Sequence, residues 1–180
     1  MRLHSTTLTT PAGPFTLLVD GDGVCAAGFT ARPETLQRRL DPARRAAQAR
    51  PAADPAGTAS AMRAYLAGEL EALDRLPVSQ PGDPTRQAAW RVLRSVPAGR
   101  TISYARLGEL AGLADPATDP VGAQAAGVAC ASNHAAVLVP CHRVLRSDGR
   151  LGGYGWGLAR KQWLLAHEAA LPSLLDLSAG

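Results

Sequence analysis

The chain has 180 residues, enough for one domain or two small ones with a buried core. Its 46% hydrophobic content excludes a disordered chain. The formal net charge of +4, with an isoelectric point near 9.4, is compatible with an anionic partner and does not require one. Residues 14–30 (PFTLLVDGDGVCAAGFT) place a DGDG turn between two apolar runs and predict a β-hairpin. Residues 33–50 are rich in Arg and Ala and predict a helix with a solvated face. PAADPAG (51–57) breaks the chain. Thr58 then caps a helix through Met62, Tyr65 and Leu66 that ends near Gly68. PVSQPGDP (77–84) carries three prolines and a glycine and marks a domain boundary, giving domains 1–81 and 82–180.

The second half opens with a helix at 85–96, whose apolar positions Ala89, Trp90, Leu93 and Val96 follow helical spacing. Ser103 caps a short helix in which Leu107 and Leu110 face inward. The loop LADPATDP and a small-residue helix at about 121–132 complete a helix-turn-helix with a long turn. AAVLVP reads as a short buried strand ending at Pro140. A turn-rich stretch, CHRVLRSDGRLGGYGWG, leads to a last helix, LARKQWLLAHEAA. Arg86, Arg91, Arg94, Arg100 and Arg106 cluster near the first two helices of this half. They form either a solvated face or a set of phosphate contacts.

Three cysteines without CxxC spacing exclude a disulfide scaffold and suit a reducing compartment. No signal peptide is evident, and no apolar run approaches the ~20 residues of a membrane span. The sequence therefore predicts a soluble cytoplasmic protein.

Cys141 is the first candidate for chemistry. A thiol attacks as thiolate, and the adjacent His142 and Arg143 offer a base and a positive field. The alternative is a core cysteine, which is the default for Cys25 and Cys130. Glu168 follows Leu164 and Leu165 at helical spacing, so it lies beside the apolar face and needs a histidine or arginine partner. It either orients a histidine or forms a structural ion pair. Asn133 can end the small-residue helix. Tyr104 can reach a phosphate or simply pack. Gly153-Tyr154-Gly155-Trp156-Gly157 lacks the GK[ST] of a nucleotide loop. Cys130, His134, Cys141 and His142 match no standard zinc spacing.

At VLVPCHRV the sequence resembles the DNA repair alkyltransferases that act on 6-O-alkylguanine. The resemblance runs over about residues 84–170 through TRQAAWRVLRSVPAGRTISY, ASN, PCHRV, GGYGWG and KQWLLAHE. TTPAGPFTLLVDGDGVCAAGF is similar to the family's smaller first domain. The resemblance implies an α/β (α+β) fold, with a small ribonuclease-H-like N-terminal domain and a helical, winged-helix-like C-terminal domain carrying the helix-turn-helix. It implies Cys141 as alkyl acceptor, His142 as its base through a water, and Glu168 holding His142. Asn133 would be a hinge, and Tyr104 would help rotate the nucleotide and donate a proton. Tyr154, Gly155 and Trp156 would line the guanine pocket, with Val139 and Val144 holding its loop. Thr85, Ala123, Gln124, Ala125 and Arg143 would contact DNA.

The partner implied is double-stranded DNA with alkylated bases, bound by a monomer through the minor groove, with no cofactor. Animal members carry a zinc in the first domain. Here only His4 and Cys25 are available there, so no metal is expected. The family's recognition helix usually reads ARAVG, and Gln124 stands where its Arg would be. The usual Asn-Pro is Asn133-His134, and residues 111–135 hold no Lys or Arg. Two other functions would use the same residues differently. A non-enzymatic damage-binding relative would lack the cysteine. A thiol hydrolase or redox protein would turn over repeatedly and would not need the helix-turn-helix.

Overall fold

The computed structural model describes residues 2–113 and 120–169. The chain forms two compact units, Met1–Pro81 with Asn133–Val139 and Gly82–Ser132 with Pro140–Gly180. The sequence boundary assigned all of 82–180 to the second half, whereas Asn133–Val139 belongs with the first.

The first unit is built on a four-stranded sheet. β1 (Leu3–Thr10) pairs antiparallel with β2 (Gly13–Asp20), from His4 opposite Val19 to Thr10 opposite Gly13. Sequence reasoning did not anticipate β1, although its threonines suit an extended, pleated backbone. β2 turns through Gly21-Asp22 into β3 (Gly23–Gly28), giving the expected hairpin. The Asp20 carboxylate accepts from the Asp22 N–H and fixes this turn. Leu18 pairs with Ala26 and Val19 with Val24, so Cys25 is the extra residue of a bulge. Cys25 is buried, and burial pushes its thiol up to about 12, in keeping with a core cysteine.

The helix expected over 33–50 is instead two short ones, α1 (Pro33–Gln37) and α2 (Pro42–Ala46), followed by β4 (Ala49–Pro51). Pro42 has no N–H to continue a helix, and Asp41 caps the new one by accepting from the Arg44 N–H. β4 runs parallel to β1, giving the order β3-β2-β1-β4. α3 (Thr58–Leu66) is capped by Asp54, which accepts from the N–H groups of Ala59 and Ser60. Thr58, expected to cap, instead donates its hydroxyl to the Pro55 carbonyl. The helix ends as expected at Gly68, whose φ of +104° suits glycine.

The free edge of β3 is covered twice. Val24 exchanges backbone hydrogen bonds with Pro77 and Ser79, and Ala27 does so with His134 and Ala136. Such cover keeps an exposed strand from templating further pairing. AAVLVP is therefore buried but is not a strand. Only Ala135 bridges to Ala27, and the Val139 N–H folds back onto the Ala135 carbonyl. Asn133 closes this loop at both ends, donating to the Val139 carbonyl and accepting from the Ala135 N–H. Val137 within it has φ +71°, a strained value for a β-branched residue.

In the second unit α4 (Pro84–Ser95) is capped by Asp83 and buries Ala89, Trp90 and Leu93, as the spacing predicts. The Trp90 indole N–H donates to the Ala129 carbonyl. β5 (Ile102–Ser103) leads into α5 (Tyr104–Leu110), and Ser103 caps it by accepting from the Arg106 N–H. α6 (Pro120–Ala131) packs on α5. Residues 114–119 of the long turn lie outside the described residues. Leu107 is buried, but Leu110 is 48% exposed. Gly108 is the residue of α5 turned against Gly122 of α6, and Leu110, two positions on, lies about 200° round the helix from it and points away. β6 (Val144–Leu145) pairs parallel with β5, and α7 (Leu158–His167) closes the unit. No helix among the described residues is long and apolar enough to cross a membrane.

The α5–α6 contact depends on missing side chains. A Cβ on Gly108 would lie 2.5 Å from the Gly122 carbonyl oxygen, a backbone atom that cannot swing away. Gly108→Ala is expected to destabilise the protein by about 1–3 kcal/mol. Gly127→Ala on α6 has open space and should gain up to about 1 kcal/mol from helix propensity. Chemical denaturation of both variants checks the contrast.

Candidate active site

Cys141, His142 and Arg143 form one 3-10 turn directly after Pro140. All three are buried, yet their side chains have different surroundings. Cys141 lines a cleft of about 350 Å³. The other lining residues are Tyr104 from α5, Gly127, Cys130 and Ala131 from α6, and Gly153, Tyr154 and Gly155 from the glycine-rich loop. Half of this wall is glycine or alanine, so the backbone itself bounds much of the space.

His142 is fully buried, with Nε2 2.9 Å from Glu168 Oε1. Its Nδ1 has no hydrogen-bond partner among the described residues. Glu168 sits at the C-cap of α7 and is 1% exposed. It also takes two hydrogen bonds from Arg143, Nε to Oε2 at 2.9 Å and Nη2 to Oε1 at 2.8 Å. The remaining Arg143 nitrogen, Nη1, donates to the Val96 carbonyl at the end of α4. Gly99, in the turn after α4, has φ +77°, and a Cβ there would lie 3.2 Å from the Glu168 carbonyl oxygen. The residue types expected to partner Glu168, a histidine or an arginine, are thus both present on it.

The electrostatics follow from burial. Burial alone would raise the Glu168 carboxyl, but the hydrogen bonds and charges of His142 and Arg143 hold it well below the usual carboxylate range. Burial lowers His142, against the pull of Glu168, and Arg143 and Lys161 add to the lowering. Tyr104 is pushed up to about 12, chiefly by burial, so its phenol stays protonated. Burial, and to a lesser degree the neighbouring Cys141, push Cys130 well above the usual thiol range, so it stays a thiol. Cys130 was expected in the core and instead lines the cleft.

Other expected site residues divide. Tyr104, Tyr154 and Gly155 reach the cleft with Cys141. Val144 is fully buried in β6, and its carbonyl accepts from Lys161 at 2.7 Å. Trp156 is not among the residues lining the cleft, and its carbonyl accepts from Arg160. Asn133 and Val139 belong to the first unit. Thr85 and Gln124 are exposed, and Ala123 and Ala125 are half-buried. Arg143 was expected on DNA. It is 4% exposed and its guanidinium is engaged by Glu168 and Val96, so it has no free face for a phosphate. Arg91, Arg100 and Arg106 are exposed, and Arg106 pairs with Glu109 on its own helix. Among the described residues no group of three or more His, Cys, Asp or Glu side chains is placed to hold a metal ion. Lys161 was passed over as a site residue, although being the only lysine of the chain singles it out.

A thiol that lines a cleft, backed by a buried histidine and an ionised carboxylate, is the equipment of a cysteine nucleophile. A profile described as the DNA-binding domain of 6-O-methylguanine DNA methyltransferase matches residues 84–170. A methylated-DNA–protein-cysteine methyltransferase of Shigella flexneri is 34% identical over 174 residues, covering 95% of this chain and 98% of its own. The crystal structure of Mycobacterium tuberculosis O6-methylguanine methyltransferase superposes with a TM-score of 0.73 at 31% identity, covering 98% of this chain and 99% of that one. A structure of M. tuberculosis OGT in complex with DNA superposes with a TM-score of 0.71 at 29% identity, covering 97% and 99%. The chain belongs to the methylated-DNA–protein-cysteine methyltransferase family.

Glu168→Gln keeps the size and removes the charge, leaving the Arg143 guanidinium buried without a counter-ion. It is expected to cost about 3–5 kcal/mol in denaturant unfolding. Both His142 and Glu168 titrate lower in the folded than in the unfolded chain, so the unfolded chain binds more protons as pH falls. Stability should therefore begin to fall below the ordinary histidine value of 6.5 and fall further below the ordinary glutamate value of 4.5. Thermal melts across pH 4–8 check this, and a flat profile would contradict it.

Proposed function

We propose that this protein repairs DNA by moving the alkyl group of 6-O-methylguanine, and of 4-O-methylthymine, onto Cys141. The observation that carries this reading is the opening of the Cys141 thiol onto a backbone-walled cleft, with the buried His142–Glu168–Arg143 cluster directly behind it. The family membership supports it. A damaged base is shielded inside a duplex and must leave the stack before its 6-oxygen substituent can be reached. Within the cleft the Cys141 proton passes to His142 Nδ1, through a water. The thiolate attacks the alkyl carbon in line, the S–C bond forms and the C–O bond breaks. The Tyr104 hydroxyl donates to the departing guanine. Glu168 holds the imidazole and stabilises its charged form. The thioether product is not hydrolysed by these groups, so each molecule acts once. No cofactor enters this scheme.

The same reading takes the first unit as ribonuclease-H-like, supported by an antiparallel three-stranded meander with a parallel fourth strand. It takes the second as winged-helix-like, with α5 and α6 as the helix-turn-helix. α6 is the element that enters the minor groove, with Ala123, Gln124 and Ala125 at the duplex, Thr85 on a phosphate and Asn133 as the hinge after the helix. Tyr154, Gly155 and Trp156 bound the extruded base, with Val144 behind them. The protein works as a monomer in the cytoplasm, where its free cysteines stay reduced.

Incubation with a duplex carrying one 6-O-methylguanine should add a single methyl to Cys141 by intact mass and peptide mapping. Transfer should saturate at one per molecule and be absent in Cys141→Ala. Repeated turnover, or transfer to another residue, would overturn the reading. Minor-groove edges carry little sequence code, so affinity should be nearly independent of sequence and fall steeply with salt. Gln124→Arg adds an exposed cation and should steepen the logarithmic salt dependence by about one while tightening duplex binding. Fluorescence anisotropy at several salt concentrations measures both.

A further inference from the structure

We propose that Lys161 is a positioning residue for the thiol chemistry: its buried ammonium pins the two walls of the cleft and supplies the positive charge that stabilises the Cys141 thiolate. The inference deepens the alkyl-transfer reading and rests on it for its biological meaning.

Lys161 is 0% exposed, an unusual place for an ammonium group. Its Nζ donates to the Val144 carbonyl at 2.7 Å and to the Gly152 carbonyl at 3.3 Å. No carboxylate among the described residues pairs with it. A buried charge without a counter-ion is costly. Among the described residues its acceptors are these two neutral carbonyls, and the thiols of Cys141 and Cys130 act on its charge. Burial holds Cys130 protonated, so of these two thiols Cys141, on the turn that Lys161 braces, is the one placed to answer the ammonium with a negative charge.

The two carbonyls it holds are not arbitrary. Val144 follows the Cys141–Arg143 turn, and Gly152 precedes the cleft-lining Gly153–Gly155 stretch. Gly152 also lies against Tyr104, since a Cβ there would be 2.7 Å from the phenol oxygen. One side chain thus ties together the nucleophile's turn, the loop opposite it and the packing surface of Tyr104. Among the groups that act on Cys141 are Tyr104 from α5, Cys130 from α6 and Lys161 from α7, with His142 next to it in the chain. Arg143 and Glu168 lie behind His142 and nearly balance each other. Lys161 adds to this set a positive charge that no carboxylate among the described residues pairs with. Moving the proton from Cys141 to His142 makes a thiolate and an imidazolium, and the fixed ammonium favours that arrangement only on the sulfur side.

The experiment uses the fact that Lys161 is the only lysine in the chain. Lysine labelled with ¹⁵N and ¹³C gives one side-chain ammonium signal, which can be followed against pH in wild type and in Cys141→Ser. The expected result is a step in the Lys161 signal at the pH where Cys141 ionises, lost in Cys141→Ser. In parallel, Lys161→Met keeps the stem and removes the charge. Its Cys141 should react with iodoacetamide about tenfold more slowly at neutral pH, with the titration midpoint moved up by about one unit. Lys161→Arg should stay nearer to wild type. A Lys161 signal identical in wild type and Cys141→Ser would overturn the proposal, even if Lys161→Met does not fold. So would an unmoved thiol titration in a folded Lys161→Met, which would leave only a structural role. Methyl transfer by the wild type is measured alongside. Its absence with the coupled titration present would sink the alkyl-transfer reading while leaving the thiol–ammonium pair standing.

Discussion

The buried carboxylate of Glu168 is the constraint on which the second unit's chemistry depends. A carboxylate with no access to water must be ionised against fixed partners or remain protonated. Here two consecutive residues, His142 and Arg143, satisfy it from one turn, and Arg143 reaches on to the end of α4. The last turn of α7, the end of α4 and the segment that carries Cys141 are thereby locked together. Cys141 is adjacent in sequence to the groups that are locked, so its orientation is inherited from a buried ion pair. A planar, bidentate guanidinium suits this task in a way that an ammonium would not.

How much of this was legible in the sequence depends on whether the cause was local. The hairpin at the DGDG turn, the cap at Ser103 and the buried face of α4 were all legible, because each follows from turn chemistry or periodicity within a few residues. β1 was missed because its alternation is carried by threonines rather than by large apolar side chains. The 33–50 stretch was read from composition, and Pro42 outweighed it. AAVLVP has the apolar character of a buried strand. Its loop form is set by the Asn133 amide and by the edge of β3, which lies more than a hundred residues earlier in the chain.

The site shows the same division. Cys141, His142 and Glu168 were legible from residue types and spacing, together with the need of a buried acid for a partner. The DNA contact expected of Arg143 rests on the family resemblance, and the three-dimensional path of α7 instead brings Glu168 to it. In the sequence Lys161 stands out only as the sole lysine, and Cys130 reads as a core cysteine. Their importance comes from helices α7 and α6 converging on one cleft, which periodicity alone does not reveal. The glycines of the 152–157 loop were weighed as a nucleotide motif, whereas their use is to let the backbone form a wall and to leave room for Tyr104.

The return of Asn133–Val139 to the edge of β3 has a bearing on how the polypeptide is made. During synthesis the four strands of the first sheet leave the ribosome long before residue 139. Until then Ala27 has no partner for its N–H and carbonyl, and the outer edge of β3 is only partly covered. The amino-terminal unit is therefore not a self-contained early folder despite its early position. A fragment cut after residue 81 would keep every strand of the sheet and still present an open edge to its neighbours.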